Sequence, residues 1–401
     1  MIFDICILIL VIMVWINFLH LYQPANSEEH IIEEATQKSY LRILRSLEEN
    51  PEIKYTLNIS GCLFLRWKEM GRGDLIKRIK NLIERGQIDL TGTAAYHPFL
   101  PLIPKEETRR QIKENEEILK KYLGENFKPR GFFIPEMAYS KDVAKIIKKM
   151  GYSWIILDEI SYSGKIGKAD TSKVYQDEAS GLDVVLRSRR YSNGYFPDKA
   201  GEEGGIEFAL TGNDGELYGL RHEDPTGEYE KFLQRKDLKT ETVSEFISRA
   251  GKDRLKFTPW DCSWESTEKD LKKNKPYILW YNRDNITQIK IWELANLTYR
   301  IVQKHREDPN YYWARWHLVR GLASCTFWWA SEKNFEHIFG PYAWNPDEIE
   351  KRINELVKAV RSLEASTSLG TKIKVENMSL EIKKVVWEKH WKIHEKKIRK
   401  K

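Results

Sequence analysis

Short apolar runs alternate with longer stretches whose apolar residues recur at helical spacing through the first two-thirds of the chain. The first apolar run, Ile5 to Ile16, continues to Leu19 and opens into His20, Tyr22 and Gln23. Ser27 to Glu49 places acids early and apolar residues at helical spacing, which predicts a helix. Tyr55 to Ser60 predicts a short strand, Leu63 to Arg85 an amphipathic helix, Gln87 to Thr91 a strand, and Lys105 to Leu123 a charged helix. In the stretch Gly131 to Tyr139, the run Phe132, Phe133 and Ile134 is stopped by Pro135 and followed at once by Glu136. That reads as a buried strand with a carboxylate at its C-terminal mouth. Ser140 to Met150 predicts a helix and Ser153 to Leu157 a strand. Val184 to Arg187, Glu207 to Leu210 and Leu255 to Thr258 are further strand candidates.

Strands alternating with helices form the βα pattern of a parallel sheet. Seven or eight such strands in roughly 260 residues suit a closed or nearly closed barrel, in which catalytic side chains gather at the C-terminal ends of the strands. No Gly-x-Gly-x-x-Gly follows any strand, which weighs against a doubly wound dinucleotide sheet. Gly201 to Gly205 reads as a mobile acidic loop. Beyond Trp260 the texture changes: Asn285 to Gln303, Trp313 to Trp329 and Pro346 to Ala365 predict helices rich in Trp and Leu. Glu381 to Lys401 reads as a basic amphipathic helix facing solvent. The expected organisation is an α/β catalytic barrel over residues 1–265, a helical region over 266–370 and a basic tail over 371–401.

Charge sharpens this picture. The net charge of the 401-residue chain is +7. Lys383 to Lys401 alone contains nine Lys and Arg against two Glu, so the remainder is formally neutral. A globular nucleic-acid binder is thereby excluded. Cys6, Cys62, Cys262 and Cys325 are far apart and show no Cys-x-x-Cys spacing, so neither a disulfide framework nor a structural zinc site is expected, and a reducing, cytoplasmic setting fits. The Ile5 to Ile16 run is shorter than the ~20 residues of a membrane span. It has no basic flank or small-residue cleavage site, and Met13 is an alternative start that leaves the strand intact. No stable membrane insertion is expected, and the oligomeric state is not legible.

Several strand ends deliver polar groups: His20, Tyr22 and Gln23 from the first, Tyr96 and His97 from the third, Glu136 from the fourth. A later one leads into Asn213 to Gly219, which carries Asp214 and Glu216 between glycines. Two carboxylates brought to one mouth are what glycosyl transfer requires, one to attack the anomeric carbon and one to move the proton. Spacing alone leaves a second chemistry open. His20, His97, Asp214 and His222 also suit a metal-dependent barrel such as a polysaccharide deacetylase or an α-mannosidase-like enzyme, although Tyr22 removes the nearest His-x-His pair. A third reading is a non-catalytic glucan binder.

Four segments resemble, in order, the signatures of glycoside hydrolase family 57. His20 to Pro24 resembles the first, with Tyr22 where a second histidine is usual. Gly86 to Pro98 resembles the second, Gly131 to Tyr139 the third, and Asn213 to Gly219 the fourth. The fifth has two candidates, Trp260 to Glu265 and Trp313 to Trp329. The resemblance implies an incomplete (β/α)7 barrel with a helical C-terminal domain and a retaining mechanism on α-glucans such as starch, glycogen or maltooligosaccharides. It implies Glu136 as nucleophile, Asp214 as acid/base, and His20, His97 and Glu216 as sugar contacts beside Tyr22 and Gln23. Arg187 and Arg189 become candidates for orienting the nucleophile or binding hydroxyls, and Trp260 and Trp264 for stacking on sugars. Double displacement calls for no metal or other cofactor, places the carboxyls about 5–5.5 Å apart, and needs the pKa of Asp214 raised by its ionised partner. Whether hydrolysis, transfer or branching follows is set by loops the sequence does not decode.

Overall fold

Among the described residues, ten strands form where the apolar runs are rich in β-branched and aromatic residues. They are β1 Met13–Leu21, β2 Tyr55–Ile59, β3 Ile88–Thr91, β4 Gly131–Phe132, β5 Trp154–Asp158, β6 Tyr175–Asp177, β7 Asp183–Arg187, β8 Phe208–Asp214, β9 Leu238–Thr240 and β10 Leu255–Phe257. The structure is a computed structural model and describes residues 12–125, 127–203, 205–331, 344–364 and 369–398. The first part of the expected opening strand, with Cys6, lies outside the described residues.

One sheet has the order β3-β2-β1-β8, with β9 pairing the start of β1; the other has the order β10-β6-β7-β5-β4. Seven strands follow one another as an incomplete parallel barrel, β8-β1-β2-β3 and then β4-β5-β7. Two thin seams join the halves. At one, Gly92 bridges Phe132 in parallel. At the other, the Ser188 N–H donates to the Leu210 carbonyl at 2.9 Å. β6 is antiparallel to β7 and, with β10, extends the second sheet outside the ring.

Side chains alternate across a strand, so every second residue faces the barrel interior. The inward row is apolar low down: Ile16 and Phe18 from β1, Phe133 after β4, Ile156 from β5, Val185 from β7 and Leu210 from β8 pack together. Two residues further along the same rows come His20, Asp158, Arg187 and, past Gly212, Asp214. The barrel is therefore dry at its base and polar at its C-terminal mouth.

Most expected elements are present, Lys105–Leu123 to the residue, but two expected helices are broken. Leu63 to Arg85 divides into Gly61–Glu69 and Gly73–Glu84. The break is at Gly71, whose φ of 76° lies in the left-handed region. Trp313 to Trp329 divides into Tyr311–Gly321 and Ser324–Trp328. There Ala323 is extended and bridges Pro98, so pairing to the barrel overrides local helix preference. Within the expected Gly201 to Gly205 loop, residues 201–202 close the helix Phe196–Glu202, and Gly204 lies outside the described residues.

Tyr311–Gly321 packs on Ile286–Lys304 and Pro346–Arg361, and these two pack with the long helix Leu369–Ile398, which buries Val375, Ile382 and Val386. The expected boundary at 265 falls in the loop that carries Trp264, and that at 370 falls inside this last helix. One apolar core runs from Phe132, Ile134 and Leu157 through Trp292 and Leu318 to Leu356 and Val386. None of the helices in the described residues is long and apolar enough to cross a membrane.

Candidate active site

Strand register builds the mouth. Thr91, Asn58, His20 and Asp214 stand side by side across β3, β2, β1 and β8. The Asn58 amide donates to Thr91 Oγ1 at 2.9 Å, which leaves its Oδ1, 2.8 Å from His20 Nδ1, as an acceptor. His20 therefore carries its proton on Nδ1 and turns the bare Nε2, which has no protein partner, into the site. Burial brings its pKa down to about 4, so the ring is neutral at ordinary pH. His97 is also buried and neutral, its pKa pushed well below the usual value by burial. The His20 and His97 rings stack at 4.7 Å, and Tyr22 lies over His97 at 4.1 Å.

Glu136 enters from the opposite half of the barrel. Pro135 ends the strand, and the backbone then turns through left-handed conformations at Glu136 (φ 62°) and Met137 (φ 46°). Non-glycine residues in that region are strained by order 1–3 kcal/mol, a feature that gathers at functional sites. The loop of Trp264 pins this turn twice. Its backbone N–H donates to the Glu136 carbonyl at 3.1 Å, and its indole Nε1 donates to Oε2 at 3.0 Å. Ser324 donates to Oε1 at 2.7 Å. Only 14% of the side chain is exposed. Burial pushes the Glu136 pKa up to about 8; the Asp214 charge adds to the rise, and the bonds from Ser324 and Trp264 oppose it.

Asp214, ending β8, accepts from Arg221 Nη1 at 2.6 Å, and the Arg221 side chain is 59% exposed. The loop between them closes on Gly219, whose φ is +123° and where a Cβ would stand 2.2 Å from the Lys38 carbonyl oxygen, so only glycine fits.

The structure gives Gln23, Glu216, Arg187 and Arg189 protein partners. Glu216 is 3% exposed and accepts from Gln23 Nε2 at 2.7 Å and from the Tyr40 hydroxyl. Gln23 and Glu216 thus brace the Asp214 loop against the first strand rather than offering free groups to a sugar. Arg187 and Arg189 likewise spend their donors on protein. Both grip Asp158, at 2.8 and 2.7 Å, and both donate to the Trp264 carbonyl, at 3.3 and 2.8 Å. They hold the loop that holds Glu136, and Arg187 also lies over the Trp264 ring at 5.2 Å. Trp264 is a partner of Glu136, whereas Trp260 is 48% exposed on the same loop and free to stack.

His222 is remote from the proposed metal set, stacked on Tyr195 at 4.1 Å and 3.4 Å from Asp198. Among the described residues, no three His, Cys, Asp or Glu side chains come together as a metal site would need. Sequence reasoning missed Asn58, Arg221 and Ser324. Asn58 left a readable trace, a polar residue inside the apolar strand Tyr55–Ile59. Arg221 lies two residues past the Asp214 motif, and Ser324 lies inside Trp313 to Trp329, a candidate fifth signature, without having been singled out there.

Comparison with known proteins follows the same outline. Residues 14–258, more than half of the chain, match the family model described as Glycosyl hydrolase family 57. An alpha-amylase of Pyrococcus horikoshii is 32% identical over 175 residues, 43% of this chain and 27% of that protein. A 4-alpha-glucanotransferase of Thermococcus litoralis is 29% identical over 220 residues, 52% of this chain and 32% of that protein. The matched stretch thus spans about a third or less of these curated relatives. Among solved structures, a branching enzyme from Thermococcus kodakaraensis superposes with a TM-score of 0.67 at 14% identity, covering 92% of this chain and 94% of that one. At that identity the likeness is one of fold.

Proposed function

Because the chain belongs to glycoside hydrolase family 57, we propose that it cleaves or transfers α-1,4-glucan chains by double displacement, with Glu136 as nucleophile and Asp214 as acid/base. The observation that carries this reading is the pair of donors on Glu136. Ser324 holds one carboxylate oxygen and the Trp264 indole the other, which aims a desolvated carboxylate at whatever occupies the mouth.

In the first step a Glu136 oxygen bonds to the anomeric carbon as the glycosidic C–O bond breaks, and the departing oxygen takes a proton from Asp214. In the second, Asp214 removes a proton from water or from a sugar hydroxyl. That oxygen attacks the anomeric carbon and frees Glu136. Water as acceptor gives hydrolysis, and a sugar hydroxyl gives transfer. The unpartnered Nε2 atoms of His20 and His97 are acceptors placed for hydroxyls of the bound sugar.

The resting site holds its proton in the wrong place for this chemistry. Glu136 is the carboxyl that burial keeps protonated near neutrality, while Asp214 is ion-paired with Arg221. The reaction needs Glu136 ionised and a proton on Asp214, so Arg221 must leave Asp214 when the sugar binds. The exposure of Arg221 supports this departure, since an exposed side chain swings away at little cost.

The test is product analysis on maltooligosaccharides and amylose. Release of reducing ends indicates hydrolysis, redistribution of chain lengths indicates transfer, and new α-1,6 linkages indicate branching. No turnover by the wild-type protein on any of them, or full turnover by a folded Glu136→Gln variant, overturns the reading.

A further inference from the structure

Ser324 lies in the Trp313 to Trp329 segment, far in sequence from Glu136 and His97, yet it sits between the two. Its Oγ is 2.7 Å from Glu136 Oε1 and 3.0 Å from His97 Nδ1, while His97 and Glu136 themselves stand 3.7 Å apart. His97 is neutral, so the closeness of imidazole and carboxylate is not an ion pair. The hydroxyl is what joins them. Its position is set by the backbone: the Ser324 N–H donates to the His97 carbonyl at 2.9 Å, and Ala323 bridges Pro98. His97 is itself held in a left-handed conformation, φ 53°. Ser324 is thus tied to the barrel through both its backbone and its side chain.

We propose that Ser324 is a positioning residue for the reaction proposed above, aligning the Glu136 carboxylate and setting the tautomer of His97 at once. A serine hydroxyl has one proton to donate. When Glu136 is ionised, as attack on an anomeric carbon requires, that proton must point at the carboxylate. Ser324 Oγ then has only lone pairs for His97, so Nδ1 must carry the ring proton and Nε2 faces the mouth bare. The chain His97 Nδ1–H to Ser324 O–H to Glu136 carboxylate has one direction in the reactive state. His97 Nε2 is thereby an acceptor for a sugar hydroxyl, matching His20 Nε2 beside it.

The charged and titratable groups facing Glu136 are Asp214 from the end of β8, Glu265 from the Trp264 loop, His97 and His20 from the barrel mouth, and Cys325 beside Ser324. The two histidines are neutral, Asp214 and Glu265 oppose ionisation of Glu136, and the bonds from Ser324 and Trp264 favour it. Removing the hydroxyl therefore moves the ionisation of Glu136 to higher pH.

The inference rests on the glycosyl-transfer reading, and the experiment separates the two. The pH profile of kcat/KM on a maltooligosaccharide is measured for the wild type, Ser324→Ala and Ser324→Thr. A wild type without turnover sinks the underlying reading. With an active wild type, Ser324→Ala is expected to lose about tenfold to hundredfold in kcat/KM, the range for one hydrogen bond to a charged group. Its acid limb should shift upward by at least half a pH unit, and Ser324→Thr should restore both. An alanine variant that loses activity with an unmoved limb, or keeps full activity, overturns the proposal. A second measurement needs no variant. Nitrogen NMR of the wild type above pH 8 should find His97 protonated on Nδ1, and protonation on Nε2 refutes the assignment.

Discussion

Glu136 is an acid that water barely reaches, and its placement works against the fold as pH rises. Its folded pKa stands at about 8 against an ordinary 4.5. Between those values the folded state binds more protons than the unfolded one, so stability falls with increasing pH. Below 4.5 both states are protonated and the penalty vanishes. Glu136→Gln removes it, so the variant should be the more stable protein at pH 8 by on the order of a few kcal/mol, and nearly equal to wild type at pH 4.5. Calorimetry at the two pH values checks this, and equal melting temperatures at pH 8 would contradict it. The same variant should lose essentially all turnover, so stability and activity move in opposite senses. Asp214→Asn should lower kcat by roughly 10²–10⁴-fold, the range for one acid/base group. The loss should shrink on an aryl glycoside whose leaving group departs without a proton; equal losses on both substrates would remove Asp214 from the acid role. The two carboxylates were legible because each sits in a local motif. Ser324 was not, because its contact with Glu136 joins residues 188 apart in sequence, and nothing in a short window of chain reports such a meeting. The arginines were legible as candidates for orienting Glu136, but not the partners through which they act, since Asp158 and the Trp264 carbonyl come together only in three dimensions.

Strands and helices obey the same division. Runs such as Tyr55–Ile59 and Trp154–Asp158, and the helix Lys105–Leu123 with acids first and lysines last, are set by local pattern and were readable. The short strands β6 and β9 were not, because three residues give too little period to recognise. The helix break at Ala323 comes from pairing with Pro98, a partner no helical periodicity announces. Packing between strands explains one sequence feature that pattern left open, the glycine that starts β4. A Cβ on Gly131 would lie 2.0 Å from the Trp154 ring across the sheet. Gly131→Ala should therefore destabilise by about 3 kcal/mol, the upper end for overpacking, as read from the urea midpoint. A midpoint within error of wild type would mean that β4 and β5 yield more easily than their fit suggests.

At the scale of the whole molecule, the half of the barrel that carries β4, β5 and β7 shares one core with the C-terminal helices. Ile382, 1% exposed on the last helix, belongs to it, so Ile382→Ala should cost about 2–5 kcal/mol. It should also lower the melting of barrel and helices together. Far-ultraviolet dichroism and tryptophan fluorescence should give coincident transitions, and two separated transitions would show that the halves unfold independently. The thin seams of the barrel have a different consequence. Glu136 belongs to the half-shell of β4, β5 and β7, and Asp214 to the half-shell of β8, β1, β2 and β3. At one seam the Gly92 N–H donates to the Gly131 carbonyl and the Phe133 N–H to the Gly92 carbonyl; at the other, the Ser188 N–H donates to the Leu210 carbonyl, beside side-chain bonds from Arg187 to Gly212 and between Ser192 and the Gly212–Asn213 segment. The spacing of the two carboxyls is therefore set by how the two half-shells meet, through these seams and through the shared packing of Ile16, Phe18 and Leu210 against Phe133, Ile156 and Val185. A substitution deep in either seam, touching no sugar, therefore acts on the spacing of the two carboxyls, the quantity that separates the retaining from the inverting geometry.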